Sequence, residues 1–218
     1  FKKEFKKRNL KELGIGNKRN ERAKVDVLVI GSDEVFNCLQ KSPAIGFSME
    51  LFGMNNRANR VITYAASCGD TTIDRVEQYG KQDIIKKTLK NIDAFSARDE
   101  NTCEFIKHYT DKDVLQNIDP VLLYDFKEEI RENVDIRDYI LVYAYTHRIT
   151  EEEAGLIKDF ATRNNKKIVC VGNYQTFCDV YISAHPFELL SYVKFADYVI
   201  TDTFHGTIFS IKYNKKFI

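Results

Sequence analysis

Residues 197–210 read DYVITDTFHGTIFS, and this stretch decides the fold. Tyr198, Val199, Ile200 and Thr201 form an apolar, β-branched run of strand length that ends at Asp202. Thr203, Phe204, His205 and Gly206 then turn the chain, and an apolar helix is predicted from Thr207 to Tyr213. Gly206 permits a tight turn or a close backbone approach. On this reading the first helical N–H groups, around Thr207 and Ile208, lack intrahelical acceptors and sit at the positive end of the helix dipole, where an anion would bind.

The same grammar repeats along the chain. Short apolar runs rich in Val and Ile predict strands over residues 25–30, 61–66, 92–96, 114–118, 139–145, 168–171 and 198–201. Between them, apolar residues at 3.6-residue spacing predict helices over 73–89, 99–109, 151–164 and 187–195. Strands alternating with helices of this length make βαβ units and parallel sheets, because parallel neighbours need a crossover long enough to return over the sheet. The charged stretch 124–138 (YDFKEEIRENVDIRD) separates two groups of strands, which sets expected domains of 1–130 and 131–218.

Each polar motif directly follows a predicted strand. Gly31-Ser32-Asp33-Glu34 follows the first and Ser67-Cys68-Gly69-Asp70 the second; Arg98-Asp99-Glu100, Asp119-Pro120, Thr146-His147-Arg148 and Asp202–Gly206 follow later ones. In open parallel sheets such loops lie on one edge, where ligands bind. Polar βα loops capped by Asp or Ser are also ordinary architecture, so no single loop decides the matter. Asp33 and Glu34 read either as acid and base or as caps of a following helix. Arg98 stands where a guanidinium can grip a carboxylate or phosphate, or pair with Asp99, Glu100 or another acid. His205, beside a helix start, is suited to donate a proton or hydrogen bond to an anion, with a capping or core role as the alternative. Gly31 matches neither the dinucleotide-binding nor the P-loop fingerprint.

Composition narrows the classes. The 218 residues are 44% hydrophobic and 12% aromatic, enough for a buried core, and 33 basic against 32 acidic residues give a net charge of +1. That balance argues against nucleic acid as a partner. The charge is uneven: residues 1–24 hold ten Lys/Arg and three Asp/Glu and read as a solvated amphipathic helix, or as a contact for an acidic glycan or partner. Five scattered cysteines without CxxC spacing and four histidines without ligand spacing predict neither disulfides nor a metal, and a reducing, cytoplasmic location. No apolar run is long enough for a transmembrane span. The chain opens mid-pattern at Phe1 and closes on Lys216-Phe217-Ile218, which reads as the first residues of a strand, so truncation at both ends is expected.

Five of these pieces, in order, resemble the polysaccharide pyruvyl transferase family: residues 26–37 (DVLVIGSDEVFN), 64–69 (YAASCG), 96–100 (SARDE), 119–123 (DPVLL) and 197–210. The resemblance implies an α/β fold of two Rossmann-like domains like the GT-B glycosyltransferases, with the first strand of the first domain missing. It implies transfer of a pyruvyl group from phosphoenolpyruvate to hydroxyls of a glycan or lipid-linked sugar, with phosphoenolpyruvate as donor substrate, no separate cofactor, and peripheral membrane contact only through the acceptor. Arg98 matches the family arginine proposed to bind the donor, and His205 matches the histidine of its His-Gly motif; these are the expected catalytic residues. Gly31, Ser32, Asp33, Ser67, Arg148, Asp202, Thr203, Gly206 and Thr207 are the expected substrate contacts. One departure stands out: the family pattern Arg-Leu-His-Gly is here Thr203-Phe204-His205-Gly206, one positive charge fewer, and Arg148 is the expected substitute. A glycosyltransferase using a nucleotide sugar and a non-catalytic glycan-binding module remain the alternative readings of the same fold.

Overall fold

The computed structural model describes residues 24–40, 47–130 and 134–218, so the expected amphipathic helix of residues 1–23 lies outside the described residues. They divide into two compact units, one ending at Tyr124 and one formed by Asp125–Ile218. Both are α/β with parallel strands.

In the first unit, β1 (Val27–Ile30) pairs with β2 (Arg60–Thr63), and β3 (Phe95–Ala97) with β4 (Val114–Gln116), each in parallel. Parallel bridges Ile62↔Ala94 and Ala66↔Ala97 join the two pairs into one array in the order β1-β2-β3-β4. Between those bridges β2 spends one residue more than β3. The extra residue bulges at Ala65, whose φ is 47° and whose N–H donates to Ser96 Oγ at 3.0 Å.

Helices α1 (Ile73–Gln78), α2 (Gln82–Leu89) and α3 (Glu100–Tyr109) bury Val76, Ile85, Leu89, Phe105 and Ile106 against Ile30, Val61, Phe95 and Ala97. Strands laid down in one direction send every right-handed crossover to one face. On the other face Val27, Val29 and Leu115 are exposed. The single helix expected over 73–89 is two helices. Gly80, at φ 61°, ends α1: Lys81 N–H reaches Val76 O and Gly80 N–H reaches Glu77 O, the paired bonds of a Schellman stop. The apolar period runs straight through the break, so periodicity alone does not register it. Asp99 caps α3 by accepting Thr102 N–H at 2.8 Å, and Asp119 opens the one-turn α4 (Pro120–Leu123) by accepting Val121 N–H at 3.0 Å. No helix follows β1 before the 3-10 turn Met49–Phe52 among the described residues, so Asp33 and Glu34 sit in a turn-rich loop rather than at a helix start.

The second unit is a five-stranded parallel sheet in the order β7-β6-β5-β8-β9: Val180–Ile182, Lys167–Val171, Tyr139–Tyr143, Tyr198–Thr201 and Lys216–Phe217. The strand first in sequence, β5, is central. The chain moves outward through β6 and β7, returns to β8 on the opposite side of β5, and continues to β9. This is the 3-2-1-4-5 order of a Rossmann-like sheet, with its reversal between β5 and β8. Helix α5 (Glu151–Arg163) covers one face through Ile157, Phe160 and Ala161, beside Ile140 and Val142. Helices α6 (Pro186–Phe195) and α7 (Phe204–Lys212) cover the other through Val193 and Phe209, beside Leu141 and Val199. Both α5 and α6 start in capping boxes, Thr150 with Glu153 and His185 with Glu188. Strand β7 is absent from the expected set because its apolar run, Val180-Tyr181-Ile182 between Asp179 and Ser183, is only three residues long. No described helix is long and apolar enough to cross a membrane.

Candidate functional site

Ligands of Rossmann-like sheets bind outside the carboxyl ends of the strands where the order reverses. In the second unit that point lies between the loop after β5 (Ala144 to Ile149) and the loop after β8 (Asp202 and Thr203). The two loops are tied directly: Tyr145 N–H donates to Asp202 Oδ1 at 2.9 Å, and Arg148 Nη1 lies 3.7 Å from Asp202 Oδ2. The Arg148 guanidinium also stacks 4.5 Å from the Tyr145 ring centroid, and its side chain is 61% exposed. A pair this open is weakly held, so an incoming anion can compete with Asp202 for the guanidinium. His147 stands in the same loop with φ 67°.

Helix α7 begins at Phe204, three residues earlier than the expected Thr207, and this moves its positive end. Thr203 is the N-cap: its Oγ1 accepts Gly206 N–H at 2.9 Å, and its carbonyl accepts Thr207 N–H at 3.1 Å. The N–H groups of Gly206 and Thr207 are therefore taken up by the helix itself, which corrects the expected donor position at Thr207 and Ile208. The dipole's positive end falls instead at Thr203, Phe204 and His205. His205 is half-buried in the first turn, its ring 5.3 Å from that of Phe204 and 6.1 Å from that of Phe209.

The need for glycine at Gly206 is steric. A Cβ there would lie 2.0 Å from Thr201 Oγ1 and 2.7 Å from Thr203 Oγ1. Of the two uses open to this glycine, the structure takes close approach of helix to strand. Thr201 Oγ1 donates its one proton to Tyr143 O at 2.6 Å, so at its 3.0 Å contact with Thr203 Oγ1 the Thr203 hydroxyl must be the donor. A relay of hydroxyls thus ties the α7 cap through β8 to the end of β5. Thr201 carried no sign of this role in the sequence beyond being a strand-end threonine.

In the first unit the loops after β1, β3 and β4 meet on Arg98, whose side chain is only 10% exposed. Its Nη1 donates to Ser32 O at 2.7 Å and to Asp119 Oδ2 at 3.1 Å, and its Nη2 lies 3.7 Å from Asp33 Oδ1. The acid beside it is Asp119, from a loop twenty-one residues on and 1% exposed, not the adjacent Asp99, which caps α3. The loop after β2 joins the same edge: Ser67 N–H donates to Asp33 O at 3.1 Å and Phe36 N–H donates to Ser67 O at 2.9 Å. Ser67 itself is buried, with its hydroxyl accepting Gly69 N–H at 3.0 Å. Gly31 has φ 142°, and a Cβ there would sit 2.0 Å from Tyr64 O, so glycine is needed for β1 and β2 to end side by side.

Beside these, Asn37 Nδ2 donates to Glu34 Oε2 at 2.9 Å and to Asp70 Oδ1 at 3.1 Å. The hydrogen bond from Arg75 holds the Asp70 carboxyl below its ordinary pKa. Burial pushes the Cys68 thiol up to about 11, which removes it as a nucleophile near neutrality. No three His, Cys, Asp or Glu side chains gather as metal ligands among the described residues.

In the structure Gly31, Ser32, Asp33, Ser67 and Arg98 collect at one sheet edge of the first unit. Arg148, Asp202, Thr203, His205, Gly206 and Thr207 do so in the second. The reading passed over two residues that fix the loops. Asp119 was visible as an Asp-Pro turn but not as the partner of Arg98. Gln175 is 6% exposed and reaches the loop after β5 from the β6–β7 connection.

The sequence matches the polysaccharide pyruvyl transferase family over residues 1–218, and the chain belongs to that family. Comparison with curated proteins returns no match.

Proposed function

We propose that this member of the polysaccharide pyruvyl transferase family moves the pyruvyl group of phosphoenolpyruvate onto two hydroxyls of a glycan or lipid-linked sugar, giving a pyruvate ketal and inorganic phosphate. Family membership over the full chain carries the reading, because it makes the protein an enzyme of the pyruvyl-transfer type. The reversal-point geometry of the second unit supports the choice of an anionic donor.

The reaction requires protonation of the donor's methylene carbon, attack of one hydroxyl oxygen at C2, expulsion of phosphate and closure by the second hydroxyl. Of the two hydroxyl protons, one ends on the new methyl group and the other leaves with phosphate. Such chemistry asks for donors that hold phosphate and carboxylate, and for a group that relays a proton. In this proposal the positive end of α7 and the Arg148 guanidinium attract the donor's anionic groups. His205, in the first turn of α7, binds the donor or passes the proton, and Asp202 orients Arg148 until the donor displaces it. Thr203 supplies a cap where the family pattern has a cation, which leaves Arg148 to make up the missing charge. In the first unit Arg98 serves as the anion-binding arginine, preset by Asp119 and the Ser32 carbonyl.

The test is ligand-dependent stabilisation, since a ligand bound by the folded state alone raises the midpoint of unfolding. Phosphoenolpyruvate should raise it, and Arg148→Ala should weaken that binding about tenfold, the value of one charge-assisted contact. Stabilisation by nucleotide sugars but not by phosphoenolpyruvate would overturn the donor assignment. Unchanged phosphoenolpyruvate affinity in Arg148→Ala would remove Arg148 from the site.

A further inference from the structure

The loop after β5 carries Tyr145, His147 and Arg148, yet it has no helix or strand of its own before α5 opens at Thr150. On one side Asp202, from the loop after β8, accepts Tyr145 N–H at 2.9 Å. On the other side stands β6, whose connection to β7 spans residues 172–179 and contains no helix. From that connection Gln175 turns inward and is 6% exposed. Its Nε2 donates to Tyr145 O at 3.2 Å and to Ala144 O at 3.4 Å. One side chain from each strand flanking β5 thus fixes the same loop, a carboxylate taking its N–H and an amide serving two successive carbonyls.

Gln175 is itself tied within its connection, where its backbone carbonyl accepts Cys178 N–H at 3.3 Å. The amide is therefore presented from a buried residue rather than an exposed loop tip. Ala144 is 3% exposed, so its carbonyl would find little water if the amide were removed. A buried side chain whose donor amide goes to the carbonyls of a ligand-binding loop sets that loop's position.

We propose that Gln175 is a positioning residue for the switch-point crevice, acting on the donor through the loop that bears Arg148. Its effect on the donor rests on the pyruvyl-transfer reading above; its hold on the loop does not.

The two parts separate experimentally. Gln175→Met keeps the length and shape of the side chain and removes its N–H donors. In the full chain, hydrogen exchange of residues 144–148 should then quicken by about tenfold or more, while the amides of β5 and β8 keep their parent rates. Phosphoenolpyruvate affinity, measured well below the lowered unfolding midpoint of the variant, should fall about tenfold, which a merely less stable but correctly placed loop would not give. Unchanged exchange at 144–148 overturns the proposal, as does quickening spread evenly over the whole unit. If the parent chain shows no phosphoenolpyruvate binding, the donor reading fails while the exchange result still decides the role of Gln175. Should the methionine variant not fold, Gln175→Asn, whose amide stops one methylene short of the carbonyls, is read by the same two measurements.

Discussion

Gly206→Ala sets two principles against each other, and their magnitudes give opposite signs. Gly206 lies within α7, where exchanging glycine for alanine gains about 1 kcal/mol from helix propensity alone. The space says otherwise. The new Cβ would fall 2.0 Å from Thr201 Oγ1 and 2.7 Å from Thr201 Cβ, so either the helix start or the end of β8 must move by more than an ångström. Overpacking of this kind costs about 1–3 kcal/mol and at times more. The movement would also strain the Thr201 hydrogen bond to Tyr143 O at 2.6 Å and the Thr203 cap on Gly206 N–H at 2.9 Å, each worth about 1 kcal/mol. The sum of these costs exceeds the propensity gain, and a net loss of about 2–4 kcal/mol is expected. Urea unfolding followed by circular dichroism measures it, with the denaturant slope checked for constancy. Thr201→Gly removes two of the three clashing atoms and leaves only Thr203 Oγ1 at 2.7 Å, so in a double-mutant cycle the pair should be less destabilised than the sum of the single changes by about 1 kcal/mol or more. A Gly206→Ala protein as stable as the parent, or more so, would refute the claim that helix and strand meet here through a missing side chain.

Asp119→Ala should destabilise the first unit by about 2–4 kcal/mol in denaturant unfolding, because it removes the buried carboxylate of the Arg98 guanidinium, 10% exposed, and leaves it the exposed Asp33 at 3.7 Å. Asp119→Asn keeps an acceptor for Val121 N–H and should recover about 1 kcal/mol of that loss. Tyr139 is fully buried, its hydroxyl donates to Tyr192 O at 2.6 Å, and burial raises its pKa above the ordinary tyrosine value. The folded state then keeps a proton that the unfolded chain releases, so stability is intact below about pH 10 and falls as pH climbs above it. Tyr139→Phe should flatten that alkaline decline in a pH series of unfolding midpoints while costing about 1 kcal/mol at neutrality.

The parts of the fold that the sequence made legible are those whose physics is local. Val and Ile runs mark the parallel strands, even in the first unit where Val27, Val29 and Leu115 leave one face exposed, and an Asp or Thr ahead of a helix announces a cap. Asp99, Thr150 and Thr203 all cap helices in the structure. Errors of register came from competition within a few residues. Phe204 to Gly206 looks like a turn because of its glycine, yet Thr203 caps so effectively that the helix absorbs all three. Ile92 looks like strand, but its N–H closes the turn after α2 on Leu89 O, and β3 starts three residues later. The Gly80 break lies between two helices that share one apolar face, and only the left-handed φ of the glycine reveals it.

The candidate site depends on a different kind of information, namely which strands become neighbours. Nothing within residues 144–148 says that the next loop beside them belongs to β8, more than fifty residues on, rather than to β6 alone. Once β5 is central, the crevice and its two clamps follow together: Asp202 can reach the loop from one side and Gln175 from the other only because β8 and β6 flank β5 in parallel register. Asp202 was within reach of sequence reading because it stands directly behind a strand. Gln175 was not, because a polar residue in an irregular connection looks like solvent-facing loop until topology folds it inward. The same asymmetry holds in the first unit, where Arg98 could be picked from its strand-end position but its partner Asp119 could not, since their 3.1 Å contact exists only through the pairing of β3 with β4. A residue's chemistry is therefore readable in advance, whereas its partner is a property of strand order; wherever a charged side chain stands at the end of a parallel strand, the loop of the adjoining strand is the place to look for what holds it.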